Sequence, residues 1–119
     1  MTCKDYELRR KAVKLKGFVY SYIDRNFPGY IQSMDGIAWL RYGKTTLELL
    51  IENPVNLYRL LLEHYGDEDS ADYAMKMIYL YPLSLFLRDP GLQEELLRCV
   101  KQGDEDRFKE ILKRLLCSV

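Results

Sequence analysis

Residues 38–45 hold the one stretch whose residue types and spacing approach a known chemical motif, the phosphate-binding loop. The segment is Ala38-Trp39-Leu40-Arg41-Tyr42-Gly43-Lys44-Thr45, with alanine in place of the first glycine. A phosphate-binding loop follows a buried strand and uses small residues so that its backbone N–H groups can approach the phosphate. Because this segment is filled with large side chains and no such strand precedes it, we expect no nucleotide site. We interpret Gly43-Lys44-Thr45 as a turn followed by a helix cap.

Neither histidine nor the acidic residues form a convincing catalytic or metal-binding pattern. His64 is the only histidine, which excludes multi-histidine metal sites. The acidic group Asp67, Glu68, Asp69 and Asp72 lacks the ligand order and central glycine of a calcium loop. Acidic residues are common at helix starts, where they favour the helix dipole. We therefore expect no catalytic centre, no cofactor and no metal ion, and hence no enzymatic activity.

Three cysteines, Cys3, Cys99 and Cys117, are odd in number and form no C-x-x-C pair. All three lie in segments that we expect to be helical. This usage predicts free thiols in a reducing compartment.

Length and composition indicate one globular domain over residues 1–119. The chain has 119 residues, of which 48% are hydrophobic and 30% charged. These are ordinary values for a folded domain. Its formal net charge is zero, so any binding to nucleic acid or to an anionic membrane would need a local patch. The uncharged run 77–87 contains Pro82 and is about half the length that a bilayer requires, so we expect no membrane span.

The first helix is predicted over 4–26 by apolar residues spaced three and four apart. These residues are Leu8, Ala12, Leu15, Val19, Tyr22 and Ile23. A second row of Tyr6, Val13, Tyr20 and Phe27 repeats every seven residues. We interpret the two rows together as one wide buried face.

Residues 30–52 are irregular because Gly36 and Gly43 interrupt the periodicity. Two short helices, over 31–41 and 45–51, are one interpretation, and a small hairpin is the other. We favour the helices because an isolated two-stranded ribbon is marginally stable.

The remaining sequence predicts further helices with recognisable starts. Asn53-Pro54 and Asp89-Pro90 each place a capping side chain before a proline, while Ser70 and Asp104 are further expected caps. The helix that follows Ser70 is apolar nearly all round and should be enclosed. We expect it to kink or restart at Pro82. The prediction is an all-α, compact, orthogonal domain of about six helices.

Charge is segregated along the chain. Residues 1–26 hold seven basic and three acidic groups, whereas 45–75 hold one basic and seven acidic groups. The candidate basic surface on the first helix comprises Lys4, Arg10, Lys11, Lys14 and Arg25. This stripe allows a nucleic-acid-associated function, which is our alternative hypothesis.

Our leading hypothesis is a protein-interaction or signalling module that associates with itself, as a homodimer, or with another protein. A basic edge and an acidic edge can meet between two copies, and aromatic residues are enriched at interfaces. Tyr30, Trp39 and Tyr42 form the candidate interaction surface.

The segment 52–66, Glu-Asn-Pro-Val-Asn-Leu-Tyr-Arg-Leu-Leu-Leu-Glu-His-Tyr-Gly, followed by Ser70-Ala71, resembles a small helical family. That family occurs in archaea as stand-alone proteins and as output domains assigned to signalling proteins. The resemblance covers residues 10–85 and implies an all-α interaction domain, without identifying any functional residue. Only three Asn and three Gln occur, which favours a thermophilic source. We expect a cytoplasmic location.

Overall fold

A computed structural model describes residues 3–119, whose regular structure is entirely helical. Seven helices follow one another: α1 Asp5–Asn26, α2 Tyr30–Tyr42, α3 Thr46–Glu52, α4 Pro54–Tyr65, α5 over 68–87, α6 Leu92–Lys101 and α7 Glu105–Ser118. The all-α prediction is confirmed, with one helix more than expected.

The irregular segment 30–52 forms two helices, α2 and α3, and the described chain contains no hairpin. Gly29 and Gly43 lie in the left-handed region, with φ of 82° and 68°, at the two ends of α2. Thr45 begins α3 with a capping box. Its hydroxyl accepts from the N–H of Glu48 at 3.2 Å, and its own N–H donates to the Glu48 carboxylate at 3.2 Å. The turn-and-cap interpretation of Gly43-Lys44-Thr45 is therefore confirmed.

Helix α5 runs through Pro82 because its backbone widens one turn earlier. Its three consecutive segments are Glu68–Ala74, a π-helical Met75–Leu80 and Tyr81–Leu87. The N–H of Tyr81 bonds to the carbonyl of Lys76, five residues back rather than four. Proline has no N–H and crowds the preceding turn, and a π turn provides room for that change of register. The restart that we predicted at Pro82 lies at Tyr81, within a continuous helix.

Two expected proline starts differ in detail. Asn53 precedes α4, but its side-chain oxygen accepts from Lys44 Nζ at 2.7 Å instead of capping the helix. Asp89 and Pro90 form a turn, and α6 begins only at Leu92. The predicted helix start at Asn53-Pro54 is therefore confirmed, and only its side-chain cap is wrong, because Lys44 occupies the side chain of Asn53. The predicted start at Asp89-Pro90 is wrong, because a turn precedes the helix.

The expected cap at Ser70 is also wrong, whereas the one at Asp104 is confirmed. Asp67 caps α5 by accepting from the N–H of Ser70 at 2.9 Å, so the helix begins at Glu68. Asp104 accepts from the N–H of Arg107 at 3.2 Å. In both helices the capping oxygen belongs to an aspartate three residues before the residue whose backbone N–H it accepts from.

All seven helices contribute to one hydrophobic core. Helix α5 supplies buried residues on several sides, including Met75, Tyr79 and Leu83, which are fully enclosed. The enclosure that we predicted for this apolar helix is confirmed. The radius of gyration is 13.4 Å, the value expected of a compact domain of this length.

Cys3 and Cys117 form a disulfide, which corrects our prediction that all cysteines are free thiols. Cys3 precedes α1 and Cys117 lies in α7, and these two helices pack side by side. Sequence spacing did not reveal the pair because the two residues are 114 positions apart. Cys99 is free and buried, so the free-thiol prediction is confirmed for this cysteine alone.

Across residues 3–119, no helix combines the length and the apolar character that crossing a membrane requires.

Removing the disulfide should destabilise the fold. In the double variant C3S/C117S, we expect the free energy of unfolding to fall by about 2–4 kcal/mol, because the unfolded chain regains the freedom of a long loop. Chemical denaturation measures this change. The parent protein in reductant should match the double variant, and the double variant should not respond to reductant. Three titratable thiols in the unreduced parent after unfolding would contradict the assignment.

Candidate interaction surfaces

The outward side of α1 carries large apolar side chains in contact with water. Tyr6 and Val13 are each 63% exposed and Tyr20 is 40% exposed. We predicted that the row of Tyr6, Val13, Tyr20 and Phe27 would widen the buried face. That prediction is wrong for the first three residues, whereas Phe27 packs against the core. Val13 lies two residues before the buried Leu15, which places it about 200° away around the helix.

The inward side of α1 is fixed by a conventional apolar stripe. Leu15, Val19 and Ile23 are completely buried, as predicted. Aromatic contacts flank this stripe, with ring centroids 5.4 Å apart for Phe18 and Phe86. Because the opposite side of α1 packs against α5, the exposed row belongs to a helix that is fixed in the core rather than to a loop.

The candidate basic surface lies along one side of α1. Lys4, Arg10, Lys14 and Arg25 are exposed, and Lys11 is half-buried. Within residues 3–119, none of the five takes part in an ion pair. These side chains are therefore available to an anionic partner.

A second group of cations surrounds an apolar groove that the sequence analysis missed. The groove has a volume of about 290 Å³ and lies between α1, α3 and α7. Leu8, Ile51 and Leu112 contribute to its floor. Its rim carries Arg9 of α1 with Lys109 and Lys113 of α7. The spacing of four residues between Lys109 and Lys113 could have indicated that they share one side of α7. Their proximity to Arg9 was not predictable, because it depends on how α7 packs against α1.

The candidate interaction surface on α2 is only partly as predicted. Trp39 is 61% exposed, whereas Tyr30 and Tyr42 are half-buried against the core. The prediction that the three form one exposed surface is therefore wrong for the two tyrosines. Leu40, which is 89% exposed, lies beside Trp39 and was not singled out. Its position outside the buried spacing of Ile31, Met34 and Ala38 could have identified it. We call Trp39 and Leu40 the α2 surface.

Tyr30 belongs to a buried tyrosine cluster. Its hydroxyl and that of Tyr65 are 2.8 Å apart, and its ring lies 6.4 Å from that of Tyr79. The hydroxyl of Tyr79 is buried and makes no hydrogen bond. The hydroxyl of Thr46 donates to Asp35 at 2.7 Å. Burial raises the pKa of both Tyr30 and Tyr79. Both phenols therefore stay neutral, and the cluster is a structural feature of the core.

A polar cluster joins α4, α5 and α6 near the acidic edge. Tyr58 donates to Asp72, and Lys101 pairs with Asp72 at 2.6 Å and with Glu68 at 2.7 Å. Burial, followed by the hydrogen bond to Asp72, raises the pKa of Tyr58. Lys101 is held between two carboxylates and Tyr58 donates to one of them, so the groups of the cluster satisfy one another. This arrangement is typical of a cluster that stabilises the contacts between helices, rather than of a reactive site.

His64 lies at the surface, beside a depression that Tyr30 and Ser33 also line. It is exposed near the end of α4, with its ring edge-on to that of Tyr65 at 4.9 Å. No set of three or more His, Cys, Asp or Glu side chains in residues 3–119 is arranged to hold a metal ion.

Protein-family models, curated proteins and solved structures were compared with this chain, and none of them matches it. The surfaces themselves must therefore carry any functional argument.

Replacing Tyr79 by phenylalanine removes a buried hydroxyl that lacks a partner. We expect Y79F to be as stable as the parent at neutral pH or more stable by up to about 1 kcal/mol, because no hydrogen bond is lost. The matched variant Y30F breaks the bond to Tyr65 and should lose about 0.5–1.5 kcal/mol. Denaturant unfolding measures both. A large loss in Y79F would show that its hydroxyl is bonded.

The stability of Y79F should also depend on high pH differently from that of the parent. Because the folded-state pKa of Tyr79 lies above the ordinary value of 10.0, the unfolded chain ionises first as the pH rises. The contribution of this group to stability is complete below pH 10.0 and is lost above it. We expect the free energy of unfolding to fall less steeply above that pH in Y79F than in the parent. Equal slopes would contradict the assignment.

Proposed function

We propose that this chain is a non-enzymatic protein-interaction module. The observation that carries the proposal is the exposure of large apolar side chains on two helices of an otherwise well-packed core: Tyr6, Val13 and Tyr20 on α1, and Trp39 and Leu40 on α2. Grouped apolar exposure of this kind marks binding surfaces in soluble proteins.

The charge layout supports the same proposal. The cations of α1 are unpaired within the described residues, while acidic groups concentrate around the start of α5. A basic edge and an acidic edge on one molecule favour oriented contacts with a complementary protein. The archaeal signalling-domain resemblance leads to the same class of function.

The expected cytoplasmic location and thermophilic source form part of this proposal. Disulfides are rare in the cytosol of mesophiles but common in intracellular proteins of hyperthermophiles. The Cys3–Cys117 disulfide is thus compatible with a cytoplasmic protein if the source is hyperthermophilic.

The proposal is tested by binding measurements on matched surface variants. Self-association of the parent is followed by sedimentation velocity over a concentration series, and any captured partner is followed by titration calorimetry. W39S/L40S should weaken the interaction made by the α2 surface, and Y6S/V13S/Y20S that made by α1. Leu85→Ser, at an exposed apolar residue outside both surfaces, is the control.

We expect at least one set of surface changes to reduce binding about tenfold or more, while L85S has no such effect. A parent that neither self-associates nor retains a partner sensitive to these changes would contradict the proposal.

A nucleic-acid-associated function is the second candidate, favoured by the cations on the groove rim. Arg9, Lys109 and Lys113 extend the basic surface of α1 onto α7. Basic groups contributed by two helices track a phosphate backbone better than one stripe does.

Salt-dependent binding to mixed-sequence DNA or RNA tests this candidate. K11E/K14E and K109E/K113E should each weaken binding and flatten its dependence on salt, because each removes phosphate contacts. E105K/E110K on α7 changes charge in the opposite direction and serves as the matched control. The absence of binding by the parent at low salt would exclude the candidate.

A further inference from the structure

The outward face of α1 has the spacing of a helix-pairing seam. Residues at successive intervals of four and three are Tyr6, Arg10, Val13, Gly17, Tyr20 and Asp24, and we call these six the α1 seam. All six are exposed. Their mean spacing is that of the contact positions of two supercoiled helices. The opposite side of the same helix is anchored in the core, so the seam is ready to meet a second helix.

We propose that a second copy of this chain covers the α1 seam, with the two α1 helices antiparallel and crossing at Gly17. This inference rests on the proposed interaction function and adds the identity of the partner and the geometry of contact.

Gly17 is the first argument for close helix approach. Glycine inside a helix costs about 0.5–1 kcal/mol relative to alanine. A Cβ added at Gly17 would meet nothing within 4 Å, so packing within the chain does not require glycine there. It lies at the middle of the seam, where the absence of a side chain lets the backbone of another helix come near.

Charge determines the direction of pairing. If two copies of α1 were parallel, Arg10 would face the partner's Arg10, and Lys14 would face the partner's Lys14. When the helices are antiparallel and centred on Gly17, residues whose numbers sum to twice seventeen face each other. Arg10 then lies opposite the partner's Asp24, and two-fold symmetry forms this pair twice.

The antiparallel arrangement also reduces repulsion between the two basic helices. Five of the seven basic residues of 1–26 lie between Arg9 and Lys16, in the first half of α1. That half would lie along the second half of the partner helix, which contains Tyr20 and Asp24. Like-charged segments are thus kept apart.

The contact area is modest. Val13 and Tyr20 lie opposite the partner's α1, whereas Tyr6 lies opposite position 28, beyond the end of that helix. Interfaces of this size are typical of specific complexes with low affinity. We expect a reversible dimer whose population depends on concentration, rather than an obligate one.

Charge reversals at the two pairing positions test the geometry. R10D alone would place an aspartate opposite the partner's Asp24, and D24R alone would place Arg10 opposite a second arginine. Each single variant should dimerise about tenfold more weakly or worse, because two symmetric pairs change sign together. Sedimentation velocity on the full chain measures the dissociation constant.

Two combinations should restore pairing. Mixing R10D with D24R should give a heterodimer, because one of the two pairs across that interface joins the two unchanged residues and the other joins the two reversed ones. The double variant R10D/D24R should form a homodimer again, since both of its pairs are of opposite charge. Neither Arg10 nor Asp24 takes part in an ion pair within residues 3–119. Asp24 accepts one exposed hydrogen bond, from Gln32 Nε2 at 3.2 Å, which D24R removes. Loss of that bond would weaken dimerisation in both D24R and R10D/D24R, so recovery in the double variant separates charge pairing from a structural effect.

Gly17→Gln tests the close approach, with Gly36→Gln as its control. Both glycines are exposed within helices, and a Cβ at either meets nothing within 4 Å. Glutamine is a better helix former than glycine, so both variants should be at least as stable as the parent. Only G17Q should abolish the dimer.

Three results would overturn the inference: a monomeric parent at all concentrations, unchanged dimerisation in R10D and D24R, or no recovery of pairing in the double variant R10D/D24R. Self-association that survives these changes but is lost in W39S/L40S would assign pairing to the α2 surface, leaving the proposed function intact. A monomeric parent that binds another protein through the seam would also overturn self-pairing. Absence of every interaction would remove both proposals.

Discussion

Helix α5 carries apolar side chains in almost every direction between Ala74 and Leu87, and other helices cover most of these directions, leaving Leu85 44% exposed. Tyr79, Leu80 and Leu83 are fully buried on different sides of this helix. Burying a large apolar side chain contributes about 1.5–3 kcal/mol to the free energy of unfolding. Exposing one side of α5 to water would therefore remove a large part of the stability of a small domain. The other helices therefore pack around it, and α1 is held against it by the Phe18–Phe86 contact and its neighbours. The π turn before Pro82 is what allows α5 to remain continuous through this enclosure.

Sequence periodicity predicted the helices well, because a helix that is buried on one side has apolar residues spaced three and four apart. Both α1 and the enclosed α5 were recognised this way, and so were the short helices α2 and α3. Periodicity did not predict which of two apolar rows on α1 faces the core, since a seven-residue row is compatible with burial or with exposure. Comparing Val13 with Leu15, which lie on nearly opposite sides of the helix, would have separated the two.

Features that depend on packing between distant segments were not predictable. The Cys3–Cys117 disulfide, the Lys44–Asn53 hydrogen bond and the groove lined by Arg9 and Lys109 each join residues whose proximity follows from the tertiary arrangement. On the surfaces, Trp39 is exposed as expected, but Leu40 was missed because aromatic type was weighted above helical position. Exposure of a leucine is informative only when the orientation of its helix is known.

The disulfide also changes the topology of the molecule. With their Cα atoms 5.4 Å apart, Cys3 and Cys117 turn nearly the whole described chain into a covalent ring. A single backbone cut in an exposed turn, such as that at Gly66, would open the ring without releasing a fragment. The two ends of the described chain leave the domain at the same point, beside α1 and α7. The crosslink thus holds the first and last helices of the described chain together, so a chain cut in a surface turn stays one covalent molecule until a reductant is added.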